Sequence, residues 1–224
     1  KKLIAGIASG ADRKLEQEEG LIFPAAGALV TQQFMRRYDV TMDDLALVSL
    51  KNHNNANLNE YAHFHSKKVD LDMIKESKII CSPLRLFDCS PTSDGAVALI
   101  VSREKNSNRD IKIEAAAAAS SHIFLAKDND LTTFPAVRIS AEKAYKQANL
   151  SPKDIDVVEI HDGFTVTELI GMEDLMLCEK GESKHYIREG KTELNGELPI
   201  NTDGGLKANG HPIGATGLAQ IYEI

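Results

Sequence analysis

The sequence predicts an α/β fold built in layers, and three observations lead there. Short apolar runs bounded by glycine or turn formers, Leu3–Ala8, Ala96–Val101 and Ile155–Ile160, have the length and composition of buried strands. Stretches with helical spacing of apolar residues lie between and after them, Ala25–Tyr38 and Ser140–Leu150 among them. Two histidines, His161 and His211, each fall where the chain turns into a helical pattern. Such corners are where layered α/β proteins place their sites.

Composition narrows the classes. The 224 residues are 42% hydrophobic and 26% charged, a globular balance. The 33 acidic and 26 basic residues give a net charge of −7, which argues against a broad nucleic-acid-binding face. Cys81, Cys89 and Cys178 form no C-x-x-C pair, so the sequence predicts a reducing compartment and no structural zinc. No apolar run is long enough to span a membrane, and no signal-peptide pattern is visible. The chain opens on Lys1 inside a strand-like run and stops within a helical one, so a longer protein is expected.

In order, Leu3–Ala8 reads as a strand and Asp12–Gly20 as a polar segment. Thr41 and Asp44 form a capping box for a helix through Leu45, Val48 and Leu50. Asparagine-rich Lys51–Asn57 reads as a loop, with His53 solvated. His63 and His65 flank Phe64 at a spacing that a metal could use, but no third ligand is evident and no metal site is expected. Asp70 caps a short helix to Ser77. Turn formers from Ser82 to Gly95 precede the Ala96–Val101 strand, with Cys89 as a buried, inert thiol. A polar hinge, Asn106–Asp110, separates two segments, and alanine-rich Ile111–Ala119 opens the second as a strand.

Leu125–Thr133 reads as a polar loop, and Ser140 as the N-cap of the helix to Leu150. Ile155–Ile160 then runs into His161-Asp162-Gly163-Phe164, and Thr165 and Glu168 read as a capping box for a helix from Val166 to Leu177. Asp162 reads as a residue of the helix start, Glu173 and Asp174 as surface acids, and Glu179–Glu197 as an exposed excursion. The run Asn201-Thr202-Asp203-Gly204-Gly205 precedes Gly210-His211-Pro212 and the last helix, Leu218–Ile224. Gly210 allows close approach of the backbone, and Pro212 suits a first helical turn. Gly214, Ala215, Gly217 and Ala219 suggest a tightly packed helix start. Two histidines can serve as base and oxyanion donor in acyl chemistry, but these residues show no evident nucleophile.

Several ordered motifs give the chain a resemblance to a known family. Lys51-Asn52-His53, Asp88-Cys89-Ser90-Pro91-Thr92-Ser93-Asp94-Gly95-Ala96, His161-Asp162-Gly163-Phe164, Asn201-Thr202-Asp203-Gly204-Gly205 and Gly210-His211-Pro212 together resemble the thiolase superfamily, most of all its sterol-carrier-type and archaeal acetyl-CoA acetyltransferase branch. The resemblance implies a layered α-β-α-β-α fold of two similar halves with an inserted loop domain. Residues 1–105 would then be the end of the first half with the loop domain at about 11–85, and residues 106–224 a truncated second half. It implies an acyl-CoA:acetyl-CoA acyltransferase that forms a cysteinyl thioester on a cysteine upstream of this chain. No tightly bound cofactor is implied, because a coenzyme A thioester is the substrate.

Role by role, His211 resembles the base that activates that cysteine, His161 the residue that polarises the thioester oxygen, and Ser90 a contact to the pantetheine arm of coenzyme A. Partners implied are acyl-CoA and acetyl-CoA, a homodimer or dimer of dimers, and a small accessory protein in the aldolase case; cytoplasm or peroxisome is the implied compartment. One departure stands out, because relatives often carry cysteine where this chain has Gly163. It keeps two other readings open: a thiolase-like aldolase acting on a β-hydroxyacyl-CoA, and a non-catalytic acyl-CoA- or lipid-binding subunit.

Overall fold

The computed structural model describes residues 11–105, 107–122 and 130–224. The expected first strand, Leu3–Ala8, lies outside the described residues, as does most of Leu125–Thr133. After a π-helical turn at Arg13–Gln17 come α1 (Phe23–Tyr38), α2 (Met42–Ala56) and α3 (Leu71–Lys75), then a hairpin of β1 (Ile79–Cys81) and β2 (Leu84–Arg85). The second segment carries α4 (Pro135–Ala148), α5 (Thr165–Asp174), α6 (Ser183–Arg188), α7 (Gly205–Ala208) and α8 (Thr216–Glu223).

Helix α1 carries Pro24 in its first turn, which the fixed φ of proline suits, and is closed by Asp39, which adopts a left-handed φ of 52°. Its buried residues Gly27, Val30, Thr31 and Phe34 recur at helical spacing and face the core. Helix α2 carries the anticipated capping box: the Thr41 hydroxyl accepts from the Asp44 amide, and the Asp44 carboxylate accepts from the Thr41 amide at 2.7 Å. The helix then continues to Ala56, through the stretch read as a loop. Tertiary partners override local preference there. Asn52 and Asn55 are buried, and both donate across the molecule, to Asp162, Glu168 and the Asn201 carbonyl. His53 is fully buried between the rings of Phe64 and Phe87, so its solvated assignment is corrected as well.

The central helix is α5, buried on almost every side through Val166, Leu169, Ile170 and Met172. Its cap differs from expectation. The Phe164 amide donates to the Thr167 hydroxyl, while Thr165 turns inward to donate to Asp88, and Glu168 enters the core. Glu173 and Asp174 are buried, not surface acids. Glu173 accepts from the Gly181 amide and the Ser183 hydroxyl, and Asp174 from the Phe134 amide and the Thr133 hydroxyl. Asp174 thereby tethers the start of α4, which begins at Pro135, so Ser140 lies inside the helix and donates to the Val137 carbonyl.

The Glu179–Glu197 excursion contains α6 and packs against the core through buried Ile187. Arg188 grips Asp44 at 2.6 and 2.8 Å through two nitrogens. Burial pushes the Asp44 carboxyl up, but the Arg188 guanidinium and the Thr41 donors overcome it and hold the group below its ordinary value.

The expected strands form only in outline. Among the described residues the sole ladder is β1–β2. Ile155–Ile160 survives as one parallel bridge, Val158 to Ile200, and Ala96–Val101 and Ile111–Ala119 have no ladder partner among the described residues. A strand needs a partner to satisfy its backbone, and the described residues supply none there. Ile100 and Val101 are accordingly 100% and 75% exposed.

Candidate functional site

Three segments distant in sequence meet at one place. Residues 88–93 lie against the His161 corner, where Cys89 bridges Phe164 and the Ser90 amide donates to the Gly163 carbonyl at 3.0 Å. The same segment meets the last glycine-rich run, where Thr92 bridges His211 in parallel and the His211 amide donates to the Ser93 hydroxyl at 2.7 Å. Gly210 makes this approach feasible. Its φ is +119°, and a Cβ there would sit 2.8 Å from the Ser93 hydroxyl.

The two histidines come together. Their ring centroids are 5.1 Å apart, with the rings at 90°. Nδ1 of His211 lies 2.8 Å from the Thr216 hydroxyl. His161 keeps an open face to solvent while His211 is half-buried. Burial holds both imidazoles below the ordinary histidine value, and the neighbouring His211 adds to the effect at His161. Both are therefore neutral near pH 7, a state in which one can accept and the other donate. Gly163 leaves space beside them: a Cβ there would meet only the His161 ring, 3.4 Å from Nε2. Ser90 sits half-buried on the facing segment.

A buried polar network supports this corner, and it escaped the sequence reading. Asp162 is fully buried; its carboxylate accepts from the Leu206 amide at 2.7 Å, from Lys207 N at 3.2 Å and from Asn52 Nδ2 at 2.8 Å. Burial, followed by the charge of nearby Glu168, raises its pKa, and the Leu206 amide and Lys51 oppose that shift without overcoming it. Glu168 accepts from Asn52 and Asn201 and lies 3.0 Å from Lys51 Nζ. Lys207 is buried, its pKa pushed down to about 8 by that burial, and donates to the Cys89 carbonyl at 3.0 Å. The available signal was the set of polar residues around Lys51-Asn52, His161-Asp162 and Asn201, too many for one core without pairing.

The three thiols are free. Burial pushes Cys89 up to about 11 and Cys178 up to about 12, so neither is poised as a thiolate. His63 and His65 lie on an exposed turn, not a strand, and no metal-holding cluster occurs among the described residues. A cavity of about 490 Å³ flanks the His211 corner, lined by Gly210, Pro212, Ser93, Asp94, His63 and Tyr222 among others. Pro212 precedes a turn, and α8 begins only at Thr216. A Cβ on Gly214 or Gly217 would meet nothing within 4 Å, so the tightly packed helix start is not found.

Residues 117–224 match the thiolase C-terminal domain-like family. The chain is 40% identical to the acetyl-CoA acetyltransferase of Methanothermobacter thermautotrophicus over 97% of its own length and 58% of that protein. It is 35% identical to sterol carrier protein 2 of Gallus gallus over 91% of this chain and 39% of that protein. Among solved structures it superposes on a chain of the Ltp2-ChsH2(DUF35) aldolase with a TM-score of 0.79 and 27% identity, covering 91% of this chain and 56% of that one. The α/β fold is thus thiolase-like, and residues 117–224 are those of the thiolase C-terminal domain-like family. It spans 58% of the acetyltransferase it matches. No helix among the described residues is long and apolar enough to cross a membrane.

Proposed function

We propose that the protein containing this chain is a thiolase-type acyltransferase acting on coenzyme A thioesters, with residues 1–105 and 106–224 as parts of its two halves. The observation that carries the reading is the perpendicular pair of neutral imidazoles, His161 and His211, at the junction of three motif segments. In the proposed reaction His211 takes the proton of a cysteine thiol outside this chain. The thiolate adds to the thioester carbonyl of the first acyl-CoA, and His161 donates a hydrogen bond to the oxygen as charge develops. Collapse of the adduct expels the coenzyme A thiolate, which takes up the proton, and leaves a cysteinyl thioester. The acyl group then leaves the cysteine sulfur for the α-carbon of acetyl-CoA, whose α-proton is lost and ends on the released cysteine, or, in the thiolytic direction, for the sulfur of coenzyme A, whose thiol proton ends on the cysteine. Ser90, beside Gly163 on the facing segment, contacts the pantetheine arm. A dimer accompanies this reading.

Replacing His211 by alanine in the full-length protein is expected to slow acyl-enzyme formation by about 10²–10⁴-fold. Unchanged single-turnover acylation would refute the role. A second reading is favoured by Gly163 and by the aldolase superposition: cleavage of a β-hydroxyacyl-CoA, with a small accessory protein as partner. Mass spectrometry separates the two. An acyl adduct on cysteine after acyl-CoA addition supports transfer, and aldehyde or ketone release without an adduct supports the aldolase.

A further inference from the structure

His211 has one ring nitrogen committed before any substrate arrives. Its Nδ1 is 2.8 Å from the hydroxyl of Thr216, the first residue of α8. Thr216 is 5% exposed, so bulk water does not compete freely for this contact. The backbone of His211 is pinned at the other end by its amide hydrogen bond to Ser93 and by the Thr92 bridge. Held at both ends, the ring has Nε2 as its one nitrogen free for a reacting group.

A hydroxyl has one proton and can also accept. The Thr216 hydroxyl lies 3.2 Å from the Pro212 carbonyl, one turn earlier, and donates there. Its lone pair then receives Nδ1–H, and in a neutral imidazole Nε2 is left with the lone pair. The opposite arrangement would put the proton on Nε2 and abolish its use as a base. We propose that Thr216 is a positioning residue that holds His211 in the Nδ1–H tautomer, with the basic lone pair on Nε2. The same contact is retained when His211 is protonated, because both ring nitrogens then donate. Thr216 therefore serves the base before and after proton uptake without touching the substrate. The proposal rests on the base role given to His211 above, but the tautomer can be read without any turnover.

The test uses the full-length protein labelled with ¹⁵N-histidine, with His211→Gln to assign the resonances, and the variants Thr216→Val and Thr216→Ser. Wild type and Thr216→Ser are expected to show a protonated Nδ1 and an unprotonated Nε2 at neutral pH. Thr216→Val, nearly isosteric, is expected to lose that preference. With acyl-CoA, its kcat should fall about 10–10²-fold while KM stays within about twofold, and serine should restore kcat. A wild-type spectrum with the proton on Nε2 overturns the proposal, as does a valine variant with unchanged tautomer and kcat. Should the valine variant fail to fold, the wild-type and serine spectra decide by the same criterion. Absence of acyl-CoA turnover in wild type would refute the acyltransferase reading alone, because the nitrogen spectrum still reports the tautomer.

Discussion

Three histidines are depressed in pKa, and for His211 and His53 the consequences differ. His211 must be unprotonated to act as a base, and burial lowers its pKa. The acid limb of kcat/KM in the full-length protein is therefore expected below pH 6.5, the ordinary histidine value, and a limb above it would contradict the assignment. His53 is a matter of stability. It is fully buried, neither ring nitrogen has a hydrogen-bond partner among the described residues, and burial followed by the charges of Lys207 and Lys67 pushes its pKa down to about 3. Between pH 6.5 and about 3 the unfolded chain holds a proton at this site that the folded chain refuses. Stability thus falls as pH falls, by up to ~1.4 kcal/mol per pH unit. Replacing His53 by phenylalanine, which suits the aromatic surroundings of Phe64 and Phe87, is expected to flatten that slope with little change at pH 7. Urea denaturation across this range measures it, and an unchanged slope would exclude His53 as the cause.

At the scale of elements, two joints hold the helices in place. The first clips α6 to α2 through Arg188 and the buried Asp44 carboxylate. Replacing Arg188 by alanine is expected to cost about 1–3 kcal/mol, because Asp44 stays buried with its strongest donor gone. The contribution has a pH signature: the Asp44 pKa is depressed, so it is present above pH 4 and fades as pH falls through the folded value. The second joint seats Asp162 on α7. Gly205 has φ +61°, and a Cβ there would lie 2.4 Å from Asp162 Oδ2. Gly205→Ala is expected to cost about 2–4 kcal/mol through backbone strain and displacement of the carboxylate. A denaturation midpoint equal to wild type would show that the seat is dispensable.

These joints also explain what the sequence revealed. Thr41–Asp44 and Asp70 were legible as caps because each is local, three or four residues wide. The corners carrying His161 and His211 were legible from glycine and proline. Asn52, Glu168, Glu173 and Asp174 were not, because their partners lie elsewhere in space, and an isolated acid or amide looks solvated until its donor is known. The unpaired runs around Ile100 and Ile113 read as strands by composition, but composition cannot tell where a partner strand comes from.

In the molecule as a whole, packing among the described residues is uneven. The core runs through α1, α2 and α5, whereas residues 96–101 and 111–119 have neither ladder nor apolar cover among the described residues. With this 224-residue chain expressed by itself, amide exchange is expected to be slow in α2 and α5 and fast in those two segments. Equal protection would mean that the runs find partners within the chain.

The bridge from Ser93 to His211 spans 118 residues of sequence, and Ser90 meets Gly163 across 73. Contacts of such separation pay their loop-closure entropy before they return any stability. During synthesis, helix α1 and the capped start of α2 can therefore settle on local information while the ribosome is still working. The paired imidazoles must wait until the glycine-rich run has emerged, so they meet only after α1, α2 and α5 have been made.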